Sequence, residues 1–460
     1  MTTDTIVAIS TTLGESGIGI VRLSGPQALS IAEKLFIPKS GNKLSKANTF
    51  TVHYGSIVDP SDNSIIDEAL VSVMLAPRTY TCEDVVELNC HGGIVPLRKA
   101  LEAAVALGAR LAEPGEFTKR AFLNGRIDLA QAEAVADIIK AKTDESLKAA
   151  VSQLKGRLSA ELLVIAEELK DAAARVEANI EFSEEEIETT NLPGIGAELK
   201  DIRKRIKKLL STAGKGRILR EGVKTVIAGK PNVGKSSLLN ELLNEERAIV
   251  THIPGTTRDI IEETINIEGI PFVLADTAGI RKSSNIIEIQ GIQRAIDSLE
   301  SADLVLFILD GSKKIVREDI LAAEKVKNRK TVVVVNKADL PQKIKQSDLN
   351  QIFPKVKTVF ISALKASGIE ALKKEMKAAV SERGVKDSSG IMITNMRHKV
   401  LLEQALSALV LAENSINNEM SEEFIAVDIR EALDYVGEIT GKVSTEDILN
   451  KIFSEFCIGK

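Results

Sequence analysis

The chain has 460 residues, enough for about three domains, and its 44% hydrophobic and 27% charged residues are ordinary for a soluble globular protein. A net charge of −5 argues against a protein whose whole surface coats nucleic acid, and 3% aromatic residues with no Trp argue against extended base-stacking platforms. Three cysteines without C-x-x-C spacing predict neither a disulfide framework nor a cysteine zinc site. Without a charged-then-apolar leader or an apolar run of about 18 residues, we expect a cytoplasmic protein with no membrane partner.

Residues 1 to about 120 predict a compact α+β domain, because short β-like runs are mixed with two helical segments. The strand candidates are 5–9, 19–23, 50–58, 68–75 and 84–90, and the helix candidates are 28–35 and about 95–106.

From about residue 121 the apolar residues recur at spacings of four and three, which predicts one long helix from Leu147 to Ile180. Pro193 and Gly194 interrupt this pattern, and residues 197–210 predict a second helix that is strongly basic. Its basic face fits either a solvated helix surface or a contact with an RNA backbone, and the sequence leaves both open. The residues of that face are Lys200, Arg203, Lys204, Arg205, Lys207 and Lys208.

Residues 224 to about 383 alternate strands and helices, which predicts a mostly parallel sheet with helices on both faces. The strand candidates are 225–228, 271–275, 304–309, 331–335 and 358–361, and helices resume at 402–416, 424–436 and 446–456 after a linker at 384–390. Neither helical flank has an obvious core of its own, so we expect the strand–helix domain to be inserted into one helical domain. The predicted divisions are 1–120, 121–222, 223–383 and 384–460.

A glycine-framed loop, Gly229-x-x-x-x-Gly234-Lys235-Ser236, joins the strand at 225–228 to an apolar-faced helix. This context is typical of a phosphate-binding P-loop. Backbone N–H groups there point into one concavity at a helix N-terminus, Lys235 adds positive charge, and the Ser236 hydroxyl can bind Mg²⁺.

Two further motifs predict that the nucleotide is GTP. Asp276-Thr277-Ala278-Gly279 follows the strand at 271–275, where Asp276 can hold a Mg²⁺-bound water and the Gly279 N–H can sense the terminal phosphate. Asn336-Lys337-Ala338-Asp339 follows the strand at 331–335. The Asp339 carboxylate can accept hydrogen bonds from the ring and exocyclic N–H groups of guanine, whereas adenine presents the opposite donor pattern.

The segment at 251–259 and the loop at Ser362 and Ala363 complete a set of motifs that resembles a Ras-like GTPase of the translation-factor class. A Thr in the first segment, assigned as Thr257, can bind Mg²⁺ only when the terminal phosphate is present. The predicted GTP-binding residues are Asn232, Val233, Gly234, Lys235, Ser236, Ser237, Thr251, His252, Ile253, Pro254, Gly255, Thr256, Thr257, Asp276, Thr277, Ala278, Gly279, Asn336, Lys337, Asp339, Ser362 and Ala363.

Ile280 departs from the Ras pattern, in which a Gln at this place orients the attacking water. Hydrolysis must then use other groups, and the sequence offers Asn232 in the P-loop, carbonyls of the first switch and Glu288 as the acid that positions water.

The chain ends in Phe456-Cys457-Ile458-Gly459-Lys460. Together with the G-x-P-N-x-G-K-S loop, G-T-T-R-D at 255–259, P-G-E-F-T-K-R-A-F-L-N-G at 114–125 and L-A-Q-A-E-A at 129–134, this tail closely resembles the MnmE (TrmE) family of tRNA modification GTPases within the TrmE-Era-EngA-like superfamily. The resemblance covers the whole chain, in the same order of parts.

The resemblance implies a homodimer through an N-terminal tetrahydrofolate-binding-like domain. It implies a flavoprotein partner, MnmG (GidA), with which such proteins install an aminomethyl or carboxymethylaminomethyl group on carbon five of the wobble uridine of certain tRNAs. It also implies a GTPase activated by potassium-dependent dimerisation of the G domains.

Site residues carry over from the family one by one. Potassium is assigned to Asn232, Thr251, Ile253 and Thr256, Mg²⁺ to Ser236 and Thr257, catalysis to Glu288 with Lys235, and a 5-formyl- or methylene-tetrahydrofolate to Arg22, Glu87, Arg126 and Lys460. The family can carry Lys at the position of Arg126, and the two cations differ in geometry.

Three alternatives stay open. Arg258 fits a structural salt bridge or an in-chain arginine finger, and Cys457 fits a nucleophile or a residue that packs near the folate. The alternative function is that of an RNA-binding assembly factor of the Era or EngA type, although those proteins carry a KH domain or a second G domain and this sequence has a single P-loop.

Overall fold

The computed structural model describes residues 4–181, 191–246, 262–275, 299–354, 356–380 and 390–460. The chain divides into two compact units, one made of 1–136, 154–168 and 433–460, and the other of 137–153 and 169–432. Each helix of the described residues is too short or too polar to cross a bilayer.

In the first unit, the five strands predicted before residue 120 form a seven-stranded sheet together with two short strands, β3 and β7, that were not predicted. The strand order is β3-β4-β5-β6-β2-β1-β7. Neighbours pair antiparallel except β1 and β7, which are parallel. The elements are β1 (Ile6–Ile9), β2 (Ser16–Ser24), α1 (Ala28–Leu35), β3 (Phe36–Pro38), β4 (Thr51–Val58), β5 (Ile65–Met74), β6 (Val85–Gly92), α2 (Ile94–Ala106) and β7 (Arg110–Leu111).

The core of this domain lies on one face of the sheet. Alternate strand residues such as Val71 and Leu88 are fully buried in the same cluster as Ile31 and Leu97 of the two helices. This alternation follows from the period of two along a strand, which sends every second side chain into the core. The predicted α+β domain is confirmed.

The C-terminal tail packs in the same unit. Three helices contribute, namely α3 (Glu116–Leu123), α4 (Leu129–Lys140) and the last helix of the chain (Glu446–Ser454). Phe453 and Phe456 are buried in one cluster with Leu129 and Ala132 of α4. This packing leads residues 457–460 towards α3, where Ile458 forms an antiparallel bridge with Pro114.

The second unit contains the predicted strand–helix domain, with a six-stranded sheet in the order β13-β12-β11-β8-β10-β9. The elements are β8 (Val223–Ala228), α9 (Lys235–Glu246), β9 (Glu262–Ile267), β10 (Ile270–Ala275), β11 (Leu304–Asp310), α10 (Arg317–Glu324), β12 (Thr331–Asn336), α11 (Gln346–Ile352), β13 (Thr358–Phe360) and α12 (Ile369–Val380). The predicted strands lie within about two residues of these bounds, whereas β9 was not predicted.

The sheet is parallel except for β9, which pairs antiparallel with β10. Successive residues of β11 enter two separate cores: Leu306 lies with residues of α9 and α12, and Phe307 lies with residues of α10 and α11. The sheet therefore has helices on both faces, as predicted.

Two helix predictions need correction. The single helix predicted over 147–180 is wrong, because the structure has α5 (Asp144–Leu154) and α6 (Arg157–Glu181) with a break at Gly156, whose φ of +75 lies in the left-handed region. Pro193 and Gly194 do not precede the basic helix. They lie in its first turn, where the missing N–H of Pro is tolerated, and α7 runs over Leu192–Leu210 with Asn191 as N-cap.

Helices on either side of the strand–helix domain pack together. The remaining helices are α8 (Ala213–Glu221), α13 (Met396–Asn417), α14 (Glu422–Thr440) and α15, the last helix already given. Arg203 of α7 and Glu413 of α13 form an ion pair of 2.8 Å, and Thr212 Oγ1 accepts a hydrogen bond from Ile393 N at 3.0 Å. Segments from before and after the strand–helix domain thus share one core.

Candidate functional site

The P-loop lies at the carboxyl end of β8, which is inside the six-stranded sheet. Both framing glycines are required by geometry. Gly229 has a φ of +147 and a Cβ there would lie 2.5 Å from Ile308 O, while Gly234 has a φ of +102 and its Cβ would lie 2.1 Å from Asn336 Nδ2. Glycine alone fits both backbones, which leaves the loop amides open towards a phosphate.

Three predicted side chains are placed at this loop. Lys235 is the first residue of α9, and its Nζ donates hydrogen bonds to Gly229 O at 2.8 Å and Lys230 O at 2.7 Å. Its charge is therefore held over the loop that would surround the phosphates. Ser236 follows in the first helical turn, and Asn232 is exposed with a φ of +63.

The base-binding loops are tied directly to the P-loop through Asn336 at the end of β12. Its Nδ2 donates to Val233 O at 2.9 Å, and its Oδ1 accepts from Ala363 N at 3.0 Å. Asn336 is 3% exposed, so both bonds are shielded from water. One amide thus holds the phosphate loop and the Ser362–Ala363 loop in register.

Asp339 is held ionised and oriented. Ser362 Oγ donates to Asp339 Oδ1 at 2.6 Å, and this hydrogen bond lowers the pKa of the Asp339 carboxyl below its usual value. A carboxylate in this position can accept the ring and exocyclic N–H groups of guanine. The structure therefore brings together the predicted residues of the P-loop, the N-K-x-D motif and the Ser362 loop.

Asp310, at the end of β11, was missed by the sequence prediction. It is 8% exposed, and its Oδ2 accepts a hydrogen bond from Lys337 Nζ at 2.7 Å. Burial raises the pKa of the Asp310 carboxyl, but hydrogen bonds from Lys337 and Ser312 outweigh that effect and lower it. The available signal was an acid that ends the apolar run 304–309 at the carboxyl edge of the sheet.

Twelve predicted site residues lie outside the described residues, as do Arg258 and Ile280. They are Thr251, His252, Ile253, Pro254, Gly255, Thr256, Thr257, Asp276, Thr277, Ala278, Gly279 and Glu288.

A second cluster of predicted residues lies where the C-terminal tail meets the seven-stranded sheet. Arg22 of β2 lies opposite Glu87 of β6, and Arg22 Nε donates to Glu87 Oε1 at 2.8 Å. Arg22 Nη1 also donates to Gly459 O at 3.3 Å, and the guanidinium lies 5.6 Å from the centre of the Phe117 ring. Phe117 N in turn donates to Lys460 O at 3.1 Å. One arginine thus links two strands, the tail and α3.

Arg126 lies beside Tyr80, an aromatic residue that the sequence prediction missed. Its guanidinium is 4.9 Å from the Tyr80 ring centre, and Nη1 donates to Tyr80 O at 3.3 Å. The Tyr80 hydroxyl is 2.9 Å from Thr118 Oγ1 of α3, and burial raises the pKa of that hydroxyl. Cys457 is exposed.

A buried ion cluster fixes α3 against the sheet domain. Arg120 is 2% exposed and forms ion pairs with Asp4 at 2.8 Å, Glu83 at 3.1 Å and Glu116 at 3.0 Å. Burial raises the pKa of the Glu116 carboxyl, but hydrogen bonds from Arg110, the Glu113 N–H and Arg120 lower it overall. Because α3 carries Phe117 and Thr118, this cluster positions the contacts to the tail and to Tyr80.

Comparisons with known proteins give one consistent result. A family model described as "GTP-binding protein TrmE N-terminus" matches residues 5–126, and one described as "MnmE helical domain" matches residues 129–457. The protein named tRNA modification GTPase MnmE from Alkaliphilus oremlandii is 46% identical over 457 residues, covering 99% of both chains. Proteins of the same name from Alkaliphilus metalliredigens and Clostridioides difficile are each 48% identical over 457 residues, again covering 99% of both chains. With the guanine-nucleotide site in place, the chain belongs to the MnmE family of tRNA modification GTPases, which are GTP hydrolases.

Proposed function

We propose that this GTPase, together with the flavoprotein MnmG (GidA), adds an aminomethyl or carboxymethylaminomethyl group to carbon five of the wobble uridine of certain tRNAs. The one-carbon unit comes from 5-formyl- or methylene-tetrahydrofolate, and the nitrogen comes from ammonium or glycine. If the formyl form is the donor, the reduced flavin of the partner supplies the two electrons that convert it to the methylene level. Because the proposed reaction acts on tRNA, we propose that the protein works in the cytoplasm. The relatives are named for tRNA modification, which favours this function over ribosome assembly.

The observation that carries the proposal is the cluster of Arg22, Glu87 and the C-terminal tail. A carboxylate such as Glu87 suits the N–H groups of a pterin ring, and Arg22 holds that carboxylate in place at 2.8 Å. The partly exposed Tyr80 ring offers an aromatic face to a flat heterocycle, whereas Phe117 is fully buried and packs against the Arg22 guanidinium. Cations at Arg126 and Lys460 suit the carboxylates of the glutamate tail of the folate. The bound folate supplies the carbon that is transferred.

At the nucleotide site, Lys235 balances phosphate charge, Ser236 binds Mg²⁺ with Thr257, and Glu288 positions the attacking water. We assign potassium to Asn232, Thr251, Ile253 and Thr256. The bound potassium supplies positive charge at the phosphates, where other GTPases insert an arginine. GTP hydrolysis is then expected to be markedly faster in KCl than in NaCl, and equal rates would contradict the potassium assignment.

The open face of the seven-stranded sheet supports the proposed homodimer. Val52 and Tyr54 of β4 and Leu70 of β5 are 61%, 50% and 48% exposed on this face, and Tyr54 lies directly opposite Leu70 in the register. A cluster of exposed apolar side chains on a flat sheet is typical of an association surface.

We propose four parts for the chain: 1–120 for dimerisation and folate, 121–222 and 384–460 for the helical domain, and 223–383 for the G domain.

The test is reconstitution of the reaction. The purified chain, its flavoprotein partner, GTP, methylene-tetrahydrofolate, an amine donor (ammonium for the aminomethyl group or glycine for the carboxymethylaminomethyl group) and an unmodified tRNA transcript are combined, and the wobble nucleoside is identified by mass spectrometry. When the transferable carbon of the folate carries an isotope label, we expect the modified uridine to carry the same label and to be correspondingly heavier. An unlabelled product would contradict the folate donor.

A matched pair of variants tests the folate site directly. Arg22→Gln removes the cation that links Glu87 to the tail, and folate affinity should fall by roughly tenfold or more, as for loss of a charge-assisted hydrogen bond. Arg98→Gln is the control, since Arg98 is 61% exposed and pairs with Glu102 at 3.8 Å. Wild-type affinity in Arg22→Gln would overturn the assignment.

A further inference from the structure

The most basic segment of the chain is 200–217, which contains eight Lys or Arg residues and one Asp although the whole chain has a net charge of −5. The segment covers most of α7 and the first turns of α8. Such a local excess in an acidic protein creates a positive field that attracts anions.

The exposed lysines of α7 lie on one side of the helix. Ile195, Leu199, Ile202, Ile206 and Leu209 are buried and form the apolar stripe of the helix. Lysines at positions 200, 204, 207 and 208 lie about half a turn away from this stripe, because successive residues rotate by about 100° around a helix. Of the six residues that the sequence assigned to the basic face, Arg203 and Arg205 are only partly exposed. We therefore restrict the basic face to the four exposed lysines, Lys200, Lys204, Lys207 and Lys208.

Two of the other four cations of the segment form ion pairs with acidic residues. Arg203 pairs with Glu413 at 2.8 Å and Arg217 with Asp303 at 2.8 Å. Within the basic face, Lys204 pairs with Asp201 at 2.8 Å. Lys200, Lys207 and Lys208 form no ion pair with any residue that the structure describes, so their charges are available to an external anion.

The helix that carries the face is rigidly supported. The Arg203–Glu413 pair fixes the middle of α7 to α13, and the Ile393 N–H donates to the buried Thr212 Oγ1 at 3.0 Å just beyond its end. In α8, a Cβ on Gly216 would lie 2.0 Å from Ile393 O, so the two backbones are in close contact. Lys200 and Lys208 are thereby held about 12 Å apart along one axis, given the helical rise of about 1.5 Å per residue.

The chemistry of the face favours a polyphosphate over a membrane. Between residues 192 and 221, all of which are described, no large hydrophobic side chain is exposed and no aromatic residue occurs. Membrane-surface helices need exposed apolar residues beside their cations, and base readout of single strands needs aromatic rings. Lysines alone suit the sugar–phosphate backbone of a nucleic acid.

The helix dipole explains only part of the pattern. Lys207 and Lys208 lie in the last turn, where cations are favoured by the helix C-terminus. Lys200 is in the middle of α7, beyond the range of that effect, so the dipole does not account for its position.

We propose that the basic face of α7 binds the phosphate backbone of the tRNA substrate. The inference rests on the family's tRNA-modifying activity and adds where the RNA lies on this chain. The face contributes affinity without sequence selectivity, because its lysines contact phosphates and no bases.

The test is the salt dependence of tRNA binding. Lys200→Gln, Lys207→Gln and Lys208→Gln are combined, and binding of an unmodified transcript with uridine at the wobble position is measured between about 50 and 200 mM salt. Each lost phosphate contact reduces the slope of log K against log salt by about one, so the triple variant should show a slope shallower by about two to three. Affinity at low salt should fall by about tenfold or more.

The matched control combines Lys325→Gln, Lys327→Gln and Lys330→Gln. These lysines are also exposed, they precede the amino end of β12, and the variant has the same net charge. We expect its slope to match that of the wild type. An equal loss in both triple variants would mean that overall charge is responsible, and an unchanged slope in the face variant would equally overturn the proposal.

Two further measurements distinguish loss of the basic face from misfolding. They also distinguish failure of the face proposal from failure of the proposed function. GTP hydrolysis without tRNA should be unchanged in the face variant, and the triple Lys→Arg variant should retain binding. If the face variant binds tRNA like the wild type and also restores wobble-uridine modification in cells lacking the gene, the face proposal fails while the proposed function stands.

Discussion

At the scale of single residues, we propose that the choice of base depends on Asp339 and its partner Ser362. The pKa of the Asp339 carboxyl lies below its usual value, so the group stays ionised at a pH where an ordinary Asp side chain begins to be protonated. Its negative charge is lost only at a still lower pH. The acceptor for the guanine N–H groups is therefore fully formed at neutral pH. GDP affinity should not change through protonation of Asp339 between about pH 8 and about pH 5.

Asp339→Asn should exchange the base preference. The amide has one oxygen acceptor and one NH₂ donor, so guanine keeps the hydrogen bond from its ring N–H, loses the one from its amino group and there meets a second donor. We expect GDP affinity to fall by about 100-fold or more, and xanthosine diphosphate, which has a carbonyl in place of that amino group, to bind better than GDP. Fluorescence titration with both nucleotides measures this, and unchanged preference for GDP would contradict the assignment.

Asp310→Asn should weaken nucleotide binding through Lys337. The buried carboxylate holds the Lys337 ammonium at 2.7 Å, and a charge-assisted bond of this kind is worth about 1.5 to 3 kcal/mol. We expect GDP affinity to fall by roughly tenfold. The control is Lys313→Gln, since Lys313 is 75% exposed and 3.9 Å from the same carboxylate. A loss of the same size in the control would argue against a positioning role for Asp310.

At the scale of elements, periodicity predicted the longer strands to within a few residues, but it missed the short strands β3 and β7 and merged α5 and α6 into one helix. The apolar spacing over 147–180 continues across Gly156, so the pattern alone could not reveal the break that its φ of +75 produces. Strand β9 was missed because it is an edge strand with mixed polar and apolar residues, paired on one side only. Local sequence determines the type of an element more strongly than its limits.

Gly459 tests how the tail is held. Its φ is +91, and a Cβ there would lie 2.6 Å from Ile9 O, so Gly459→Ala should displace the tail from β1 and from Arg22. We expect faster removal of the last residues by carboxypeptidase and at least about tenfold weaker folate binding. Gly41→Ala is the control, because Gly41 also has a positive φ of +73 but its Cβ would meet no atom within 4 Å. Equal digestion of wild type and Gly459→Ala would refute this role.

At the scale of the whole molecule, the motifs of the proposed G site could be found in the sequence because each motif is short and follows its own strand. The contact between Arg22 and Gly459 spans 437 positions, and no pattern within the chain indicates it. That part of the site came from the family resemblance alone, and so did the dimer. Tyr80 was missed for the same physical reason, since its partner Thr118 lies 38 positions away in the sequence.

The homodimer can be tested with Val52→Asp on the open face of the sheet. A charge placed in an apolar interface is strongly unfavourable, so we expect the dimer dissociation constant to rise by about 100-fold or more. Sedimentation velocity measures it. Leu321→Asp is the control, because Leu321 is 50% exposed on α10 in the other compact unit. A Val52→Asp protein that remains dimeric would exclude this face.

The most direct test of the account is the wobble nucleoside of tRNA from cells. In a strain without the gene, mass spectrometry should find no aminomethyl or carboxymethylaminomethyl group on carbon five of the wobble uridine. Restoring the wild-type gene should return the modification, and a Lys235→Ala gene should not, because the P-loop cation is lost. Unchanged modification in the deleted strain would contradict the account.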